Sequence, residues 1–195
     1  MSKRRIYRQD NRSNMKFREW LTVATHSVMT AALDIKRFTR PRSVGGRRTP
    51  ETLADMTLGQ MIALGMAKEE RDAFYLPCMV LLGMERADVD AALAADVVRF
   101  AGWVCGRLDR INGLFKELAP SYSAAEIQAG VKRLQFGVFG MIDWYARRMG
   151  ITNHEDVEAV PWSRVYECMK MDAQTAAYQR RLQKVLLRSR RNAKV

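Results

Sequence analysis

Cysteine and histidine are scarce in this chain of 195 residues, which holds three of the first and two of the second. Three thiols are too few for a disulfide framework. Their positions, Cys78, Cys105 and Cys168, form no metal knuckle, so a reducing, cytosolic type of compartment is the default expectation. No apolar run reaches the roughly 18 residues that a membrane span needs. The start, Met1-Ser2-Lys3-Arg4-Arg5, has no apolar segment before a small-residue cleavage site and does not read as a secretory signal. Strand patterning is equally poor, because no segment alternates cleanly between apolar and polar residues. The chain also lacks a Gly-x-Ser-x-Gly elbow, a phosphate loop and a dinucleotide fingerprint, which removes the commonest sequence signatures of an enzyme.

Acidic residues are missing from the ends. Residues 1–48 carry 13 basic and 3 acidic residues, and residues 178–195 carry 7 basic and none acidic. The stretch 49–177 is acidic, with a net of −5, although the whole chain stands at +12. An acidic middle flanked by basic ends points to a polyanionic partner, either nucleic acid, an acidic protein or an anionic lipid surface. The plainer alternative is that the basic ends keep a helical protein soluble or fold back on its acidic middle. With 48% hydrophobic and 28% charged residues, the chain has the composition of one that builds a core.

The apolar residues recur at helical spacing. Residues 1–13 read as a basic arm. Residues 14–37 read as one N-terminal helix with Asn14 as its cap and a stripe through Phe17, Trp20, Leu21, Ala24, Val28 and Ile35. Residues 38–52 hold two prolines, Gly45-Gly46 and four arginines, and predict an Arg/Gly/Pro linker without a core of its own. Residues 53–195 read as a helical domain. Thr57 to Gln60 and Ser123 to Glu126 match capping boxes, and Gly65, Gly83 and Gly150 are stop signals. A helix over about 69–82 would be kinked or split at Pro77. One over about 88–118 starts afresh near Asp96 with Val97, Phe100, Ala101, Val104, Leu108, Ile111 and Phe115 inside. One helix is expected from 123 to 149, a short one over 153–159, and a last one from Pro161 to about Arg190, weak near Asp172. The paired octets Leu58–Gly65 and Leu76–Gly83 read as two helix ends using the same glycine stop. The fold class is mainly α, a multi-helix bundle with a basic N-terminal arm and a long C-terminal helix.

Candidate chemistry is thin. His26 has no carboxylate three or four residues away. His154 precedes Glu155, Asp156 and Glu158 but lacks the second histidine of a zinc motif, so the acids read as complements to a helix N-terminus. The cysteines read as small buried hydrophobes. Gly102, Gly106, Gly137 and Gly140 fall inside predicted helices, where each costs about 1 kcal/mol against Ala. Close helix–helix packing is the expected compensation. The twelve methionines fill cores more often than they line adaptable binding surfaces. Trp144 with Arg147 and Arg148 suits either nucleic-acid stacking or, more commonly, a core face beside a solvated one. The predicted polyanion contacts are Lys3, Arg4, Arg5 and Arg8 in the arm, Arg40, Arg42, Arg47 and Arg48 in the linker, and Arg180, Lys184, Arg188 and Arg191 along one face of the last helix.

The run Met56-Thr57-Leu58-Gly59-Gln60-Met61-Ile62-Ala63-Leu64-Gly65, the run Leu76-Pro77-Cys78-Met79-Val80-Leu81-Leu82-Gly83 and then Asp96-Val97-Val98 resemble small helical proteins of tailed bacteriophages. Those proteins are encoded among head and tail genes, and some are tail assembly chaperones. Trp144 to Gly150 and Tyr178 to Leu182 have the same character. The basic arm and the Arg-rich linker lie outside that pattern and favour a particle component or a nucleic-acid contact. The resemblance implies a non-enzymatic virion assembly or structural protein acting by protein–protein contact. It brings no catalytic residue, metal or cofactor. Its partners would be phage head or tail components, with nucleic acid as a further candidate, self-association left open and no membrane span. Its place would be the host cytoplasm or the virion. The alternative is a free-standing basic helical nucleic-acid-binding protein.

Overall fold

A computed structural model describes residues 14–34 and 39–192. It is 69% helical, with ten α-helices and one two-stranded sheet among the described residues. The chain divides into two compact units, residues 1–111 and 112–195.

In the first unit, the stripe predicted as one helix forms two, α1 (Phe17–Val23) and α2 (His26–Asp34). The break falls in the β-branched run. Ala24 is extended, and the Thr25 carbonyl accepts the first backbone bonds of α2 from Val28 and Met29. Phe17 is fully buried against Trp20, Phe74 and Tyr75, with ring centroids 5.3–5.9 Å away. Backbone bonds fix its entry: Phe17 N–H donates to Ala92 at 2.9 Å and Ala94 N–H donates to Met15 at 2.9 Å.

Residues 39–52, the described part of the predicted linker, form a hairpin. β1 (Ser43–Val44) and β2 (Arg47–Arg48) pair antiparallel around Gly45 and Gly46, whose φ values of 54° and 80° are those of a tight hairpin turn. Val44 is fully buried. Thr49 is buried too, and its hydroxyl donates to the Pro41 carbonyl and accepts from Arg40 Nη1 at 2.9 Å. One buried valine and a satisfied hydroxyl anchor a segment whose composition suggests none.

The capping box at Thr57 and Gln60 closes reciprocally, at 3.0 and 3.1 Å, and opens α3 (Leu58–Leu64). α4 (Asp72–Leu82) keeps Pro77 within a single helix. It starts later than expected because Asp72 Oδ2 accepts the N–H groups of Lys68 and Glu69, holding a separate turn before it. The two octets do not share a stop: Gly65 is right-handed at φ −78°, whereas Gly83 is left-handed at φ 60°. α5 (Arg86–Ala91) and α6 (Ala94–Glu117) follow, and Val97, Phe100, Ala101, Val104 and Ile111 form the buried stripe of α6 as expected.

In the second unit the helix expected over 123–149 is broken. α7 (Ala124–Gln128) opens at the Ser123 capping box, a 3-10 turn spans Val131–Arg133, and α8 (Gly137–Met149) follows. Gly130 and Gly137 are left-handed, at φ 87° and 56°, so both sit at breaks rather than inside a helix. Helix–helix approach is not what Gly106 and Gly140 serve. A Cβ on Gly106 would meet nothing within 4 Å, and one on Gly140 would meet Phe136 Cβ of its own preceding turn at 2.3 Å. α9 (His154–Glu158) leads to α10 (Trp162–Asn192), which runs without a break at Asp172. Tyr145, Val157 and Val165 are buried, and Phe115, Trp162 and Tyr166 form an aromatic cluster with centroids 5.5–6.3 Å apart.

Candidate functional site

The predicted contacts fall into three groups. Lys3, Arg4, Arg5 and Arg8 lie outside the described residues. The four hairpin arginines are described, and three are engaged within their own unit. Arg40 Nη1 donates to the Thr49 carbonyl at 3.0 Å and to its hydroxyl. Arg47 donates to the Leu82 carbonyl at 3.3 Å and lies 3.9 Å from Asp88. Arg48 pairs with Glu51 at 3.1 Å. Only the Arg42 side chain, of these four, is exposed with no hydrogen bond or ion pair.

The C-terminal helix divides in the same way. Arg180 is half-buried, and its Nη1 donates to the Ser121 carbonyl at 2.7 Å, so it staples α10 to the segment before α7. Beyond it, Lys184 and Arg188 are exposed and have no ion pair among the described residues, as do Arg181 and Arg190. The side chain of Arg191 lies outside the described residues. Every residue from 181 to 190 is exposed. Elsewhere in this unit Arg147 pairs with Asp143 at 2.9 Å, Arg148 with Asp172, and Lys170 with Glu167 at 3.4 Å, whereas Lys116, Lys132, Arg133 and Arg164 are exposed. What sets the helix end apart is sign: residues 181–190 carry four exposed cations and no acidic residue.

Apolar surface accompanies it. Leu134, Phe136, Val138 and Phe139 are all exposed around the start of α8, and Phe136 is 70% accessible. The sequence reading passed over them; the signal is Leu134-Gln135-Phe136-Gly137-Val138-Phe139-Gly140, large apolar residues interleaved with helix-breaking glycines. An open groove of about 670 Å³ in the same unit is lined by Leu118, Pro120, Met141, Trp144, Ala173 and Arg180. Trp144 is half-buried, and the Arg148 guanidinium lies 5.8 Å from its ring centroid. In the first unit, a groove of about 520 Å³ is lined by Trp20, Val23, Val28, Ala94, Val98 and Arg99.

Burial pushes the Cys78 thiol up to about 12, and burial, then the Asp109 charge, raises Cys105. Both shifts disfavour a thiolate nucleophile. Tyr75 is raised by burial and by its hydrogen bond to Asp90, with Arg86 4.2 Å over its ring. His26 has a partner distant in sequence, Glu70, at 2.5 Å, and Glu70 also accepts from the Thr30 hydroxyl at 3.1 Å. His154 lies 3.9 Å from Asp143 and edge-on to Phe139. Among the described residues, no group of three or more His, Cys, Asp or Glu could hold a metal ion, and no helix is long and apolar enough to cross a membrane. The chain matches no family model, no curated protein and no solved structure.

Proposed function

We propose that this chain is a non-enzymatic, phage-type virion assembly or structural protein that works by protein–protein contact, with its basic ends touching nucleic acid or an acidic partner. The observation that carries the reading is the surface of the second unit. Leu134, Phe136, Val138 and Phe139 stand exposed in one short stretch, with Lys132 and Arg133 just before it. Exposed apolar clusters rimmed by polar residues mark protein or membrane interaction sites and ligand grooves. The resemblance of residues 56–98 to small phage head and tail proteins supplies the setting. The test is chemical crosslinking and mass spectrometry of the tagged chain in phage-infected cells. Crosslinks to head or tail proteins that disappear in a Phe136→Ser/Phe139→Ser variant are the expected result. A chain that crosslinks to no protein overturns it.

The second reading, a free-standing nucleic-acid-binding protein, draws on the exposed Arg181, Lys184 and Arg188. It requires strong, salt-dependent binding of DNA or RNA by the isolated chain, with a log–log slope of roughly −4 to −5 if four to six cations meet phosphates.

A further inference from the structure

The end of α10 carries more than charge. Tyr178, Leu182, Val185 and Ser189 follow one another at spacings of four, three and four residues. Met171 and Thr175 extend the series upstream in the same register, and all six are exposed. Leu186 lies beside Leu182 on the next position of that face. Four, three, four is the spacing of a heptad seam, which turns one narrow stripe of a helix toward a neighbouring helix. Within the described residues nothing covers it: Tyr178 is 57% accessible, Val185 58% and Leu186 51%. Arg181 and Arg188 run along one edge of this stripe, one position before Leu182 and Ser189, with Lys184 further round the helix on the same side. An unpacked helical segment of this length is marginal in water, so a partner that covers it also stabilises it.

The chemistry of the two stripes selects among occupants. A second copy of the chain would bring residues 178–195, net +7 and free of acids, against an identical +7. Flanking charges of one sign in both helices oppose pairing. Nucleic acid would use the cations but leaves Leu182, Val185 and Leu186 without a role, since phosphate contacts need no apolar seam. A lipid surface takes up a broad apolar face. Here the stripe from Val185 to Leu186 spans roughly 100° of the helix, and Leu187 faces the opposite side. A narrow seam edged by cations fits a helix with a complementary seam edged by carboxylates.

We infer that residues 171–192 form a docking helix for an acidic amphipathic helix of another protein, seated on Tyr178, Leu182 and Val185 with its carboxylates against Arg181 and Arg188. This rests on the reading of the chain as one that works by protein contact, and it names the partner surface.

The full chain is titrated against a fluorescein-labelled peptide of about four heptads, with Leu on the seam and Glu at the flanks, at roughly 0.15 M salt by anisotropy. A scrambled peptide of the same composition is the control. Two variants are compared, Leu182→Asp/Val185→Asp and Arg181→Glu/Arg188→Glu; their sites are exposed, and circular dichroism confirms that they fold. The expected result is binding at least about tenfold tighter to the patterned peptide than to the scrambled one, with each variant losing about tenfold. Equal binding of the scrambled peptide overturns the inference in favour of charge alone. So does uptake onto phosphatidylglycerol vesicles, or duplex DNA binding untouched by the Asp variant, with the patterned peptide unbound. A micromolar dimer that the Asp variant dissociates would assign the seam to a second copy and overturn it as well. Both variants are also crosslinked in infected cells. Crosslinks to head or tail proteins that persist while the peptide fails to bind sink this inference and leave the broader reading standing. A chain without any protein crosslink sinks both.

Discussion

Thr49, Arg40 and two glycines show how much single side chains decide. The Thr49 hydroxyl links Arg40 to the Pro41 carbonyl inside the hairpin. Replacing it by Val keeps the shape but takes the hydroxyl donor from the Pro41 carbonyl and leaves Arg40 only the Thr49 carbonyl, and should cost about 1–3 kcal/mol in urea unfolding. Arg40→Ala should cost a similar amount, and the double variant less than the sum, since both remove one interaction. The glycines predict opposite signs. Gly106→Ala meets open space in the interior of α6 and should gain about 0.5–1 kcal/mol. Gly140→Ala would place its Cβ 2.3 Å from Phe136 Cβ and should lose about 1–3 kcal/mol. Cys78 adds a pH dependence. Burial holds its thiol at about 12 against an ordinary 9.0, so the unfolded chain ionises first. Its contribution to stability is complete below pH 9 and is lost as pH rises toward 12, at up to about 1.4 kcal/mol per pH unit. Chemical denaturation between pH 8 and pH 10.5 should show that decline, and Cys78→Ala should make it shallower, with Cys105 and Tyr75, also raised by burial, supplying the rest.

Helices whose ends carry their own chemistry were the legible ones. The Thr57 and Ser123 capping boxes closed where spacing put them, and the buried stripe of α6 matches its periodicity. What periodicity does not encode is where a stripe is interrupted. The break between α1 and α2 follows the β-branched residues around Thr25, and the break before α8 follows the left-handed Gly130 and Gly137. The hairpin at 43–48 was hidden because its order comes from Val44 and Thr49, two residues in an Arg- and Gly-rich run. α10 shows a different division. Up to Arg180 it is packed and stapled to Ser121; beyond that it stands in solvent. Deleting residues 181–195 should therefore shift the thermal midpoint by an amount corresponding to no more than about 0.5 kcal/mol, as for other exposed sites. Arg180→Ala, a single change, should lower it more, at about 1 kcal/mol for the missing bond to the Ser121 carbonyl. Calorimetry on the two proteins decides which part of α10 belongs to the fold.

Charge in the chain as a whole is segregated, and the sequence located that segregation without revealing which cations are committed. Arg40, Arg47, Arg48 and Arg180 were expected at the polyanion surface with Lys184 and Arg188, yet each of the four holds a carbonyl, a hydroxyl or a carboxylate of its own unit. Residue type and run length cannot separate the two sets, because the partners of Arg40 and Arg180 lie 9 and 59 residues away. The separation has a measurable consequence. A cation that must first give up an internal bond contributes less to phosphate binding than one already in water. Replacing Arg181, Lys184 and Arg188 by Gln should lower affinity for duplex DNA and reduce the log–log salt slope by about 3, since each phosphate left without its cation takes about 0.9 from the slope. Folding stability should hardly change. Replacing Arg40, Arg47 and Arg48 by Gln should do the reverse: the unfolding midpoint falls, and the salt slope moves by less than about 1. Fluorescence titrations between roughly 50 and 200 mM salt measure both slopes. Equal slope changes in the two triple variants would mean that the hairpin arginines leave their internal partners for the polyanion, and that the division between structural and free cations fails.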